Sequence, residues 1–257
     1  MKLEAAGRRL EARWIGPGPE DAPTLIFLHD GLGAADSWKK FAPELAANLE
    51  CGALVYSRAG YGSSDPAPFP RPVEFMHDEA LISLPEILEK LAIRRAILVG
   101  HSDGASISLI HAARASTRDR VIALALEAPH VFVEPLTVSS IAAVRERYAS
   151  EVREKLARLH GPGTDATFQG WADVWLRPEF LSWNLEELLP SVTCPVLVIQ
   201  GEDDEFGTAR QVESIAGRVT GPVETVLLPG CGHSSHFQRR EETLEAMAAF
   251  LHKHLMS

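Results

Sequence analysis

Short β-prone runs alternate with helix-period runs along most of this chain, and that alternation constrains the fold more than any single residue does. Parallel strands cannot be joined by a tight turn. Each needs a crossover, usually a helix packed on the sheet, so the pattern implies repeated βαβ units and an α/β architecture. Residues 24–28, 53–57, 96–99, 121–126, 196–200 and 224–228 read as strands: each is short, apolar and bounded by turn residues. Residues 3–14 read as one or two opening strands, with a hairpin around Gly7. Helical spacing fills 37–49, 73–91, 105–115, 208–217 and 240–254, with Ser37 as candidate N-cap of the first and Pro85 expected to kink or split the second. The Gly- and Pro-rich stretch 58–72 reads as loop.

The rhythm breaks between 129 and 190, a stretch far longer than the roughly 25–30 residues of a simple crossover. Residues 138–160 form a strong amphipathic helix, with Ile141, Val144, Tyr148, Val152, Leu156 and Leu159 at spacings of three and four. A second stretch carries Phe168, Trp171, Trp175, Phe180 and Trp183. The pattern predicts a small helical cap over the carboxyl ends of the strands, dividing the chain into a core at 1–130, a cap at 131–190 and the rest of the core at 191–257. The aromatic side chains then either face a pocket or bury the cap's own interior.

Composition bounds function. A formal net charge of −10, with acids and bases interspersed, argues against non-specific binding to nucleic acid or anionic membranes. Three cysteines without metal-like spacing read as free thiols in a reducing compartment. The N-terminal residues lack the apolar run of a signal peptide and no stretch approaches about 18 apolar residues, so a cytoplasmic location is expected. No His/Asp/Glu spacing suggests a metal site. His77, His111 and His160 read as ordinary helix or loop histidines. Gly60-Tyr61-Gly62-Ser63 follows a strand but lacks the Lys of a phosphate loop.

Chemistry concentrates at Gly100-His101-Ser102-Asp103-Gly104, which directly follows one strand and precedes a helix. A Gly-x-Ser-x-Gly string is common by chance. Between a strand and a helix it describes a sharp turn with a strained serine, glycines where side chains would collide, and the Asp103 N–H aimed where an oxyanion would form. Serine alone is a poor nucleophile; it needs a base, and the base needs an orienting acid, in the chain order Ser, acid, His. Gly201-Glu202-Asp203-Asp204-Glu205 and Gly230-Cys231-Gly232-His233 follow later strands in that order.

These pieces, together with Leu28-His29-Asp30-Gly31-Leu32-Gly33, Trp38 and Ser57-Arg58-Ala59-Gly60-Tyr61-Gly62-Ser63-Ser64, resemble the α/β-hydrolase superfamily over nearly the whole chain. The resemblance implies an eight-stranded, mostly parallel sheet flanked by helices, with the cap inserted after strand six. It places the acid at Asp204, with Asp203 as the alternative, and the base at His233, with His236 as the alternative. It implies that Gly31 supplies the second oxyanion N–H beside Asp103, with Leu32 the neighbouring candidate, because Asp30 interrupts the family's usual His-Gly-x-Gly. His29 is then expected to brace that loop. Leu32, His130, Phe168, Trp171 and Trp175 are the expected pocket residues.

The implied reaction is two-step acyl transfer from a small-molecule acyl substrate, without a cofactor. A carboxylic ester is the first choice of bond; thioester, lactone and carbon–carbon bonds are alternatives on the same triad. A small-ligand receptor with little turnover is the alternative of another class. No nucleic-acid or membrane partner is expected, and a homodimer is allowed. A serine at position 102 argues against the haloalkane dehalogenases and epoxide hydrolases of this superfamily, which carry Asp there. Asp103 reads as an acid stabilised by the helix dipole. Alternatively its carboxylate attracts a cationic substrate group, a feature in which the elbow resembles biphenyl-hydrolase-like amino-acid ester hydrolases.

Overall fold

Strand β3 (Thr24–Leu28) is buried at every position, which a strand sustains only in a sheet covered on both faces. The computed structural model, which describes residues 1–255, places it in the middle of an eight-stranded sheet ordered β1-β2-β4-β3-β5-β6-β7-β8. The other strands are β1 (Lys2–Ala5), β2 (Arg8–Ile15), β4 (Gly52–Tyr56), β5 (Ala96–His101), β6 (Val121–Glu127), β7 (Val196–Gly201) and β8 (Val223–Leu228). The two pairings made by β2 are antiparallel and all others are parallel. Ala6 and Gly7, at φ 49° and 70°, form the two-residue turn between β1 and β2, a geometry whose twist suits a hairpin.

The helices are α1 (Phe41–Asn48), α2 (Phe75–Asp78), α3 (Leu84–Lys90), α4 (Asp103–Arg114), α5 (Pro135–Glu146), α6 (Arg153–His160), α7 (Thr164–Trp175), α8 (Ala209–Arg218), α9 (Ser235–Gln238) and α10 (Arg240–Leu255). Alternation along the strands divides the core into two layers. Leu25 and Phe27 of β3 pack with Leu45 of α1 and Phe250 of α10. Ile26 and Leu28 pack on the opposite face with Ile107 and Ile110 of α4. No helix among the described residues is long and apolar enough to cross a membrane.

The chain runs from β3 to β4 on one side and then crosses to β5 on the other side of β3. That reversal opens a crevice beyond the carboxyl ends of β3 and β5, the place where open α/β sheets bind ligands. Leu28 pairs with Gly100, so the loop after β3 and the turn after β5 leave the sheet side by side.

Three local expectations change. Ser37 does not cap a helix. It lies inside a 3₁₀ turn (Ala35–Trp38) and accepts the Ala34 N–H at 3.1 Å, while α1 begins at Phe41. The tight turn seats Trp38 in the core against Phe27, ring centres 5.3 Å apart. The helix expected at 73–91 is not split: a π turn (Glu79–Ser83) joins α2 to α3, widening the backbone where Pro85 has no N–H to give. The helix expected at 138–160 begins at Pro135 and is interrupted after α5 by a π turn (Tyr148–Val152).

The turn at the end of β5 depends on missing side chains. A Cβ on Gly104 would lie 2.1 Å from the Leu28 carbonyl oxygen, and one on Gly100 would lie 2.5 Å from the Gly104 carbonyl oxygen. Gly217, near the end of α8, has nothing within 4 Å of such a Cβ. Gly104→Ala should therefore lower unfolding free energy by about 3 kcal/mol through overpacking, whereas Gly217→Ala should raise it by roughly 0.5 kcal/mol. Urea unfolding of both variants measures the difference.

Candidate active site

Ser102 occupies the junction between β5 and α4 at φ 54°, ψ −118°, a region that non-glycine residues rarely adopt and that costs on the order of 1–3 kcal/mol. The junction is held from several sides. The Ser102 N–H donates to the Glu127 carbonyl at 2.9 Å, and the Ser102 carbonyl accepts N–H groups from Ala105 and Ser106 at 2.9 and 3.0 Å. The strained residue thus opens α4, with its side chain at the helix N-terminus and in the wall of a cavity of about 180 Å³.

His233 reaches that cavity from the loop after β8. Its Nδ1–H donates to Asp204, which follows β7, with distances of 2.9 and 3.0 Å to the two carboxylate oxygens. Asp204 is buried, and its charge is met by the Phe206 N–H at 2.8 Å, the Gly207 N–H at 3.2 Å and the Gln200 side-chain amide at 2.9 Å. Asp203 is exposed, so Asp204 is the acid that meets the imidazole. Burial opposes ionisation of Asp204, but the His233 hydrogen bond and charge hold its carboxyl below the ordinary value. Burial likewise disfavours the His233 cation, and the hydrogen bond and charge of Asp204 more than offset it, leaving the imidazole above its ordinary value. Donation from Nδ1 leaves Nε2 free to accept a proton. Ser102 and His233 line the same cavity, and no hydrogen bond joins Ser102 Oγ to His233 Nε2 among the described residues; such contacts commonly tighten only with substrate bound.

The loop after β3 supplies the facing wall. The Leu32 N–H is taken by the Asp30 carboxylate at 3.2 Å. The N–H groups of Gly31 and Asp103 meet no acceptor among the described residues. Gly31 has no room for a side chain: a Cβ there would lie 2.2 Å from Trp171 Nε1. His29 braces the loop, with Nδ1–H donating to the Asp30 carbonyl at 2.8 Å and Nε2 accepting the Arg58 N–H at 3.1 Å. Arg58 also donates to the carbonyls of His29 and Asp30.

Of the expected pocket residues, Leu32, His130, Trp171 and Trp175 line the cavity. Phe168 does not. It stacks on Tyr148 with ring centres 3.8 Å apart and is buried inside the helical insertion, because it faces the π turn between α5 and α6. Periodicity located this aromatic face without separating the two directions. The cavity also takes Thr137, Ile141 and Val144 from α5 and Phe206 from the acid loop. Ile141 and Val144 were visible as an apolar stripe, but nothing local in the sequence aimed that stripe at Ser102. His160, unremarkable in the sequence, bridges the insertion to two core loops: Nδ1 accepts the Gly62 N–H at 3.0 Å and Nε2–H donates to the Leu32 carbonyl at 2.8 Å.

Asp103 and His130 give the cavity its polar character. Burial pushes the Asp103 carboxyl up to about 6, although the Arg58 and Arg71 guanidiniums pull it back. Its Oδ1 accepts the Trp175 indole N–H at 3.3 Å, while its buried Oδ2 has no hydrogen-bond partner. Burial and the nearby His233 lower His130 to about 3, so it is a neutral imidazole, and its Nδ1 has no hydrogen-bond partner.

The arrangement has relatives. Residues 25–246 match the model of the Alpha/beta hydrolase family. The chain is 26% identical to the serine hydrolase BPHL of Mus musculus, over 97% of this chain and 85% of that protein. It is 28% identical to a putative carbamate hydrolase, RutD, of Stutzerimonas stutzeri, over 84% of this chain and 86% of that one. Among solved structures, the enol-lactonase of Burkholderia xenovorans superposes with a TM-score of 0.74 at 22% identity, covering 98% of this chain and 99% of the other. With strand order, elbow and family match in agreement, the chain belongs to the alpha/beta hydrolase family.

Proposed function

We propose that the protein hydrolyses a small carboxylic ester by two-step acyl transfer, with Ser102 as nucleophile, His233 as base and Asp204 as the orienting acid. The observation that carries this reading is the two-oxygen contact of Asp204 with His233 Nδ1, which leaves Nε2 free on an imidazole that lines the same cavity as Ser102. His233 takes the Ser102 hydroxyl proton as Oγ attacks the carbonyl, and Asp204 stabilises the imidazolium that results. The N–H groups of Gly31 and Asp103 receive the oxyanion. His233 then returns the proton to the departing alcohol, and water repeats the sequence on the acyl-enzyme. The helical insertion acts as a cap, its Ile141, Val144, Trp171 and Trp175 bounding the acyl and alcohol groups. The small cavity volume favours short substrates. Thioesters, lactones and activated carbon–carbon bonds are the competing substrates for the same groups.

The second part of the proposal concerns Asp103. Its buried Oδ2 lacks a partner while facing the loop of Gly31, a position that favours an ester bearing a nearby ammonium group over a neutral one. The two guanidiniums weigh against this attraction without reaching ion-pair distance of the carboxylate.

Ser102→Ala should cut turnover of p-nitrophenyl esters by roughly 10⁵-fold or more; residual turnover near that of the parent protein would overturn the assignment of the nucleophile. Because only neutral His233 can act as base and its pKa is raised, kcat/KM should fall as pH drops through a limb lying above about 6.5. Asp204→Asn removes both influences that raise His233, so that limb should move to lower pH while kcat falls on the order of 10⁴-fold. Finally, preference for aminoacyl over neutral esters should be present above about pH 6 and fade below it, as Asp103 takes up its proton. Asp103→Ala should abolish the preference at pH 7.5; equal loss on both ester classes would count against the recognition role.

A further inference from the structure

Behind the catalytic cavity lie three buried ionisable side chains that the reaction does not use. They are His101, Glu127 and His236, each at most 2% exposed. Glu127 ends β6. Its carboxylate accepts the His236 N–H at 3.0 Å and the His236 Nδ1–H at 2.7 and 2.9 Å. Its carbonyl accepts the Ser102 N–H at 2.9 Å. One residue therefore grips the nucleophile turn with its main chain and the loop after β8 with its side chain. His101, immediately before the nucleophile, donates from Nε2–H to the carbonyl of His233 itself at 2.9 Å. Trp38 closes the cluster, stacked on the His236 ring with centres 4.4 Å apart.

Burying a carboxylate and two imidazoles is costly unless each finds partners. Glu127 finds them: burial opposes its charge, but His236 and His101 hold the carboxyl below its ordinary range. The three groups lie within 4.8 Å of one another, close enough to suggest a metal ion. Two of the imidazole nitrogens are already spent, however: His236 Nδ1 on Glu127, and His101 Nε2 on the His233 carbonyl. Besides the contact between the Glu127 carboxylate and the His236 ring, the bonds of the cluster end on the backbone of Ser102, His233 and His236.

We propose that His101, Glu127 and His236 are positioning residues that hold the His233 loop in fixed register beside the Ser102 turn, and so set the geometry of proton transfer between Ser102 and His233. The inference rests on the acyl-hydrolase reading of Ser102 and His233. His233 has a hydrogen-bonded acid on one side, but Asp204 fixes only the ring. The main chain that carries the ring is fixed by His101 at residue 233 and by Glu127 at residue 236. A reacting pair is sensitive to this: misplacement of about 1 Å can cost on the order of 100-fold.

The test compares variants of the whole protein that remove each hydrogen bond with variants that retain it. His101→Leu and His236→Leu remove the ring donors; His101→Gln and His236→Asn keep an N–H near the same place; Glu127→Gln keeps shape and loses charge. On the best p-nitrophenyl ester, the Leu variants and Glu127→Gln should lower kcat on the order of 100-fold with KM within about twofold. The acid limb of the pH profile should move down as the His233–Asp204 contact loosens. The Gln and Asn variants should recover about tenfold or more. Native near-UV circular dichroism qualifies each variant, and the isosteric Glu127→Gln serves if a Leu variant fails to fold. Folded variants with kcat within about threefold of the parent and an unmoved acid limb would overturn the proposal, as would losses that Gln and Asn do not recover. A parent protein that neither turns over esters nor reacts with a fluorophosphonate at Ser102 would overturn the hydrolase reading instead, and this inference with it.

Discussion

Two absent side chains make the site possible. Ser102 can stand at positive φ between β5 and α4 only because α4 lies almost against the sheet, with no room for a Cβ on Gly104 beside the Leu28 carbonyl. The same close approach starts α4 next to the loop after β3. It thereby sets the distance between the Asp103 N–H, the Gly31 N–H and the serine oxygen. The strain at Ser102 persists because the surrounding hydrogen bonds over-determine it: the Glu127 carbonyl holds its N–H, and α4 holds its carbonyl.

Around this turn the strand ends concentrate charge that would otherwise be difficult to bury. Asp103, Glu127 and Asp204 follow or terminate β5, β6 and β7, and each is resolved differently. Asp204 is satisfied by backbone N–H groups, Gln200 and an imidazole, and stays ionised. Glu127 is satisfied by His236 and ties the end of β6 to the segment that follows His233. Asp103 is only half satisfied, and its carboxyl rises to about 6. A fully partnered carboxylate is a structural or orienting group; one left short of a partner in a cavity wall has bonding capacity to offer a ligand. Asp204 and Glu127 thus spend their carboxylates on the loops around the cavity, while Asp103 keeps an unpartnered oxygen on a residue of its wall.

The helical insertion shows how one amphipathic surface serves two purposes. Trp171 and Trp175 lie one helical turn apart on α7 and face the cavity, with Trp175 bonding Asp103. Phe168, one turn earlier, stacks on Tyr148 and anchors α7 to the preceding helical segment. His160 fastens the end of α6 to the loops at Leu32 and Gly62. The insertion is therefore tied directly to the loop that offers the Gly31 N–H, and a shift of one would be felt by the other.

Much of this was legible in the amino-acid sequence by itself. The alternation of strand and helix periods determined the α/β class, and the positions of the Gly-x-Ser-x-Gly string, the acidic loop and Gly-His at strand ends marked the segments that meet around the cavity. These features are local, and periodicity and turn chemistry are local properties. Which of Asp204 and Asp203 meets His233 depends on which of the two adjacent carboxylates turns inward after β7. That the Gly31 N–H stays without an acceptor while the Leu32 N–H does not depends on the Asp30 carboxylate. The exclusion of Phe168 and the inclusion of Ile141 and Val144 were decided by how the insertion rotates over the sheet. The pairing of Glu127 with His236 joins residues more than a hundred positions apart. Each of these depends on contacts between segments that the sheet order brings together, and so only the tertiary structure could decide them.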